Sequence, residues 1–183
     1  SLLESGEYWR QSMTRFNAQN RVDATLISNL RIMRRTLINQ ISKRCDKSKE
    51  IITGVVHALL SRSIFIKYLE ERKDSNGETV FPQDFYCNFM ESAKWYTDVL
   101  NSKEATYNLF LTLKDKFNGD TLQVSEIETE IITQDDLDEL RTFILGNSEL
   151  ESRQLTLWPL YSFDIIPIQL ISSIYELFFH LSD

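Results

Sequence analysis

The sequence predicts an all-α fold, a multi-helix bundle around one central buried helix, with little or no sheet. Gly and Pro are scarce, at five and three of 183 residues, which favours long helices over a sandwich or barrel. Apolar residues recur at helical spacing along much of the chain. Residues 47–72 become apolar almost all the way round in their second half, so this segment has to be buried among other helices.

The first 73 residues are expected to contribute three helices. Residues 5–20 form an amphipathic pattern, and Asp23 is a suitable N-cap for a second helix that ends near Ser42. The second helix has apolar residues alternately four and three apart, the pattern of a helix packed along a neighbour: Leu26, Leu30, Met33, Leu37 and Ile41. Residues 43–49 form a polar basic connector, in which Ser48 can cap the central helix.

The remaining residues, 74–183, predict shorter helices separated by turns. Turn residues follow the central helix at 74–77, and Pro82 is expected to open a short helix that reaches residue 91. A helical turn at 96–100 precedes a helix over 103–117 with Ser102 as its N-cap. The segment 121–132 is expected to be a loop or a short extended stretch.

Two further helices are predicted towards the end of the sequence. Thr133, with Asp136 three residues later, can cap a helix over 134–145 that Gly146 ends. The aromatic segment 155–163 is expected to be extended, and Pro167 to start a last helix. That helix has a wide apolar stripe, which predicts that a further domain covers it.

Charge divides the sequence into a basic part and an acidic part. Residues 1–73 have 14 Lys and Arg against 7 Asp and Glu, a balance of +7, and residues 74–183 have 6 against 20, a balance of −14. The acidic total argues against a free-standing nucleic-acid binder, but a basic half can still face phosphate. The alternative is that the two parts, which we expect to form one compact domain, attract each other within the fold.

The basic part contains the candidate DNA-contacting residues. They cluster on the second helix and in the connector after it: Arg31, Arg34, Arg35, Lys43, Arg44, Lys47 and Lys49. Such cations suit DNA phosphates. A solvated helix face is the competing interpretation, and Arg34, at the edge of the apolar seam, would need a carboxylate partner.

The central helix also holds Arg62 and His57. Arg62 falls on its most apolar face, so we expect a buried structural charge paired with an acidic residue of another helix. His57 has no second ligand nearby in sequence and is expected to be a satisfied or exposed histidine.

The sequence has no recognisable catalytic constellation. It contains no Gly-rich phosphate loop, G-x-S-x-G elbow or H-E-x-x-H motif, so no catalytic residue, cofactor loop or metal site is predicted. The acidic residues at 135–139 are explained by a helix N-terminus. Cys45 and Cys87 do not suggest a disulfide framework, which makes a reducing cytoplasm the default expectation. The central helix carries His57, Arg62 and a lysine, which argues against a membrane span.

Three segments resemble a known family. The resemblance is to helices of the type I and type IIG restriction–modification adenine-N6 DNA methyltransferases, and it is found, in chain order, in RVDATLISNLRIMRRTLI (21–38), LLSRSIFIKYLEER (59–72) and YSFDIIPIQLISSIYELFF (161–179). NGETVFP (76–82) lies where the family has a similar turn. The sequence departs from the family at Ser61, where glycine is usual.

The resemblance implies that the chain is a helical spacer of such an enzyme. The family's S-adenosylmethionine loop and N-P-P-Y motif would lie after residue 183, and a nuclease, where present, before residue 1. The chain itself would therefore be non-catalytic, and S-adenosylmethionine would bind elsewhere in the parent protein. The implied partners are duplex DNA and the methyltransferase domain in cis. The alternative interpretation is a helical protein–protein scaffold with no nucleic-acid role.

Overall fold

The computed structural model describes the backbone of residues 7–117 and 122–146 and the side chains of residues 24–117 and 122–146. These ranges contain six α-helices and a short 3-10 helix, Phe85–Asn88. In chain order the α-helices are α1 (Glu7–Ser42), α2 (Lys49–Glu71), α3 (Tyr96–Val99), α4 (Lys103–Phe117), α5 (Glu126–Ile131) and α6 (Gln134–Ile144). The described residues form one isolated antiparallel bridge, Lys73 to Thr79, and no strand. The predicted all-α class is confirmed.

α1 is one helix of 36 residues, whereas the sequence predicted two helices with a boundary at Asp23. The prediction was wrong because an Asp inside a helix costs well under 1 kcal/mol, and no Gly or Pro lies between residues 7 and 42 to end the first helix. The predicted seam is confirmed, since its five apolar side chains are at most 2% exposed. This seam packs α1 against α2.

α2 is the central helix, as predicted, and contacts α1, α3 and α5. Ser48 caps it: its Oγ accepts a hydrogen bond from Ile51 N at 3.4 Å. By length and composition alone α2 could cross a membrane, but 61% of its most apolar window is buried inside the fold. The buried core helix of a soluble protein passes the same test of length and composition, so the test is weak evidence for a membrane role.

The segment after α2 turns sharply and then follows the surface of the core. Asp74 Oδ1 accepts hydrogen bonds from Asn76 N at 2.7 Å and Glu78 N at 2.9 Å. Gly77 has a φ of 80°, a conformation that glycine adopts without steric cost. After Pro82 the chain forms only the four-residue 3-10 helix, shorter than the helix predicted up to residue 91.

α4 and α6 begin where the sequence predicted. Ser102 Oγ accepts from Ala105 N at 3.2 Å, Thr133 and Asp136 form a capping box, and Gly146, with a φ of 77°, follows α6. The prediction of a loop or extended stretch over 121–132 was wrong, because α5 lies within it. Ser125 caps α5 by accepting from Glu128 N at 3.2 Å.

Two predicted segments lie outside the described residues: the aromatic segment 155–163 and the helix after Pro167.

Candidate nucleic-acid interface

The seven candidate DNA-contacting residues lie in the last third of α1, in the 43–48 connector and at the start of α2, but the structure places them in different environments. Arg31 and Arg35 are exposed and one helical turn apart on α1. Lys43, in the turn after α1, and Lys49, at the first position of α2, are also exposed. We call these four residues the basic surface. Arg34, Arg44 and Lys47 form contacts within the protein.

Arg44 is bound to the junction between α5 and α6. Its Nη2 donates to Ile131 O at 3.3 Å and forms a close ion pair with Asp136 Oδ2. The Asp136 side chain is fully buried, and the same oxygen accepts from Thr133 N at 2.8 Å and Thr133 Oγ1 at 3.0 Å. Removing Arg44 from this site would leave a buried carboxylate without its counter-charge, so Arg44 holds the fold together and is poorly suited to bind phosphate.

Lys47 forms a weaker contact with the same region. Its Nζ is 3.4 Å from Glu130 Oε1, and the two side chains are 36% and 67% exposed. An ion pair this exposed is worth about 0–1 kcal/mol, so a phosphate could replace the carboxylate. An open cleft of about 500 Å³ separates the connector from α5, with Cys45 and Asp46 among its lining residues.

Arg34 contacts a histidine of the central helix. Its Nε donates to His57 Nε2 at 2.6 Å, across the interface between α1 and α2. The pKa of His57 is lowered to about 4, mainly because the ring is partly buried and also because the positive charge of Arg34 is close. His57 is therefore neutral at neutral pH, and because Nε2 accepts, its proton is on Nδ1. Burial, and then Arg35, lower the pKa of Arg34. This contact places Arg34 between the basic surface and the core.

Arg62 forms the ion pair that its position on α2 predicts. The fully buried guanidinium pairs with Glu128 of α5, itself 1% exposed, and Nη1 donates to Gln123 O. The guanidinium carbon is 4.8 Å from the centre of the Phe110 ring, and Tyr107 Oη donates to Glu128 Oε1 at 3.2 Å. Burial raises the pKa of Glu128 despite the opposing effect of Arg62. This network joins α2, α4 and α5 inside the core.

A second buried carboxylate, Glu70 of α2, was missed by the sequence analysis. Its Oε1 accepts from Tyr96 N at 2.6 Å, and its Oε2 pairs with Lys67, whose Nζ is also 2.9 Å from Glu71 Oε1. Burial alone would lower the pKa of Lys67, but the two carboxylates outweigh it and raise that pKa. Its partner Tyr96 is 26 residues away in the sequence, so no local pattern indicates that this carboxylate is buried.

The described residues contain no group of three or more His, Cys, Asp and Glu side chains placed to hold a metal ion. Asp136, in the acidic run at 135–139, instead binds Arg44 and Thr133. Cys45 and Cys87 are free thiols.

Comparison with known proteins found no matching family model, no curated relative and no similar solved structure.

Proposed function

We propose that the chain is a non-catalytic helical connector of a restriction–modification adenine-N6 DNA methyltransferase, which flanks duplex DNA and positions the methylase and the N-terminal arm on it. The observation that carries the proposal is the basic surface, four exposed cations spread over the last third of α1, the turn after it and the start of α2. Two of the three resembling segments lie on these two helices. S-adenosylmethionine would bind the methyltransferase domain of the parent protein and not this chain.

The basic surface has the chemistry of a phosphate contact. Arg31 and Arg35 are one turn apart on the same side of α1, so both can reach one DNA backbone. Guanidinium and ammonium groups on phosphates position a protein without reading base sequence. This fits a part that holds DNA while another domain carries out base recognition and chemistry.

The buried ion pairs support the proposed role of the chain as a rigid connector. An enzyme that modifies a base has to extrude it from the duplex, which requires the surrounding protein to hold the DNA in place. Arg62 ties α2 to α5, and Arg44 ties the end of α1 to the start of α6. The basic surface therefore lies on helices that are fixed to the core by buried charges.

Fluorescence anisotropy with a labelled duplex, titrated at several salt concentrations, tests the proposal. Each phosphate contact contributes a slope of about −0.9 to the dependence of log K on log salt, so the double variant Arg31→Ala/Arg35→Ala should reduce the slope by about 2. Lys114→Ala/Lys116→Ala removes the same charge from the end of α4 and serves as the control. Absence of binding at low salt, or equal effects of the two double variants, would refute the proposal.

The protein–protein scaffold is the second candidate, and the internal pairing of Arg44 and Lys47 favours it, because two of the seven candidate cations are already partly neutralised. A scaffold with no nucleic-acid role would show no DNA affinity at any salt concentration. The same titration therefore separates the two functions.

A further inference from the structure

A second cavity lies far along the chain from the basic surface, between the end of α2, residues 79–87 and residues 92–95. Its volume is about 540 Å³, within the range of about 300–1,000 Å³ typical of small-molecule sites. We call it the aromatic cavity. The lining residues that matter here are Glu70, Phe81, Asp84, Tyr86, Lys94 and Trp95.

Tyr86 brings a buried polar group to the wall of this cavity. The residue is 2% exposed, and its hydroxyl lies within hydrogen-bonding reach of the Glu70 carboxylate. Burial is the main reason that the pKa of Tyr86 is raised, and the negative charge of the Glu70 carboxylate raises it further. A tyrosine hydroxyl that donates to a carboxylate keeps lone pairs on its own oxygen, so it can still accept a hydrogen bond from a ligand.

The charges around the cavity favour a cation. Two carboxylates, Glu70 and Asp84, and one ammonium group, Lys94, line the cavity, and the balance of −1 is unchanged when Lys67 and Glu71, which form ion pairs behind Glu70, are included. Glu70 is 6% exposed and shares Lys67 with Glu71, so two carboxylates there have one ammonium group between them. Each carboxylate oxygen has two lone pairs, so Glu70 can accept a further donor although Tyr96 N and Lys67 already bind it.

The aromatic side chains add a second attraction for a cation. Trp95 is 57% exposed at the rim, the most exposed large apolar side chain among the described residues, and Phe81 and Tyr86 line the interior. The face of an aromatic ring attracts ammonium groups, and Trp does so most strongly. Aromatic rings beside carboxylates are the usual means by which proteins bind organic ammonium ions.

We propose that the aromatic cavity binds a small organic ammonium ion, with the charged nitrogen between Tyr86 and the carboxylates of Glu70 and Asp84 and the apolar part against Trp95. The bound nitrogen donates to the Tyr86 hydroxyl oxygen. This site is independent of DNA binding, since none of its residues belongs to the basic surface.

The test uses ¹⁹F NMR of the protein labelled with 5-fluorotryptophan, which has three signals because the chain has three Trp. Trp95→Phe assigns the Trp95 signal. The probes are n-butylammonium chloride and n-butanol, which share an apolar chain and differ in charge, at constant ionic strength. We expect a saturable shift of the Trp95 signal with butylammonium and a much smaller one with butanol. Equal shifts with both probes, or none that saturates with butylammonium, would overturn the proposal.

Two variants locate the nitrogen. Tyr86→Phe keeps the ring and removes the hydroxyl oxygen that accepts from the ligand, so butylammonium should bind about tenfold more weakly. Asp84→Asn should also weaken binding, whereas Asp135→Asn, an exposed carboxylate on α6, should not. Affinity that is unchanged in both Tyr86→Phe and Asp84→Asn would overturn the assignment.

Discussion

The ion pair between Arg62 and Glu128 makes a quantitative prediction about stability. Glu128→Gln keeps the shape of the side chain but leaves the Arg62 guanidinium, which is 0% exposed, without its counter-charge. Breaking a buried pair in this way costs about 3–5 kcal/mol. The amide oxygen of Gln can still accept from Arg62 and Tyr107, so we expect the lower end of this range, about 3 kcal/mol. In a chain of this size that loss corresponds to a thermal midpoint about 6–12 °C lower.

The assay is urea unfolding followed by circular dichroism, with the midpoint and slope fitted separately. Glu130→Gln is the matched control, because it makes the same chemical change on the same helix at a side chain that is 67% exposed, and we expect less than about 0.5 kcal/mol. Arg62→Met/Glu128→Leu removes both charges and should recover most of the loss. Equal destabilisation by the two Gln variants would refute the view that a buried charge pair holds α2 to α5.

Three further results are expected. Asp136→Asn should destabilise the fold by about 2–3 kcal/mol in urea unfolding, since it weakens the ion pair with Arg44 and the cap of α6. His57 has a folded pKa of about 4 against about 6.5 when unfolded, so the unfolded chain binds more protons between these values and stability should fall as pH drops from 6.5 to 4. Because His57 is half-buried, the loss should be about 1–2 kcal/mol, seen as a pH-dependent urea midpoint. Glu130→Gln should raise DNA affinity about two- to threefold in the anisotropy titration, because Lys47 becomes available to phosphate.

Each of these results has its own control. Asp135→Asn changes an exposed carboxylate one position before Asp136 and should leave the urea midpoint within about 0.5 kcal/mol of the wild type. His57→Gln should flatten the pH dependence, and an unchanged slope in that variant would assign the effect to other groups. Glu104→Gln, which removes an exposed carboxylate at the start of α4, is the control for Glu130→Gln. If both variants raise DNA affinity equally, the effect comes from net charge and not from the release of Lys47.

The sequence predicted those features that depend on local pattern. Ser102 and the pair of Thr133 and Asp136 mark helix starts because capping is a contact between residues three apart, and the five seam residues of α1 follow one helical period. α5 has only six residues, too few for a period, yet Ser125 and Glu128 have the spacing of a capping box and could have indicated it. The helix boundary predicted at Asp23 was wrong because a residue that is a good N-cap is also tolerated in the middle of a long helix.

The candidate site was harder to predict, because the partners of its cations are remote in sequence. Arg44 and Asp136 are 92 residues apart and Arg62 and Glu128 are 66 apart, and no local pattern links such pairs. Burial of Arg62 was predictable from its position on an apolar face, but the identity of its carboxylate was not. For the same reason the sequence could not separate Arg44, which holds the fold, from the exposed Arg31 and Arg35.

These ion pairs also bear on the charge asymmetry of the chain. Arg44, Lys47 and Arg62 belong to the basic residues 1–73, and each pairs with an acidic residue of 74–183: Asp136, Glu130 and Glu128. Part of the positive charge therefore serves attraction within the fold, the alternative that the sequence left open. The four residues of the basic surface are exposed, and their charge can still meet a partner. A DNA contact built this way has to be weak and strongly salt-dependent, which suits a connector that relies on a neighbouring domain for specific binding.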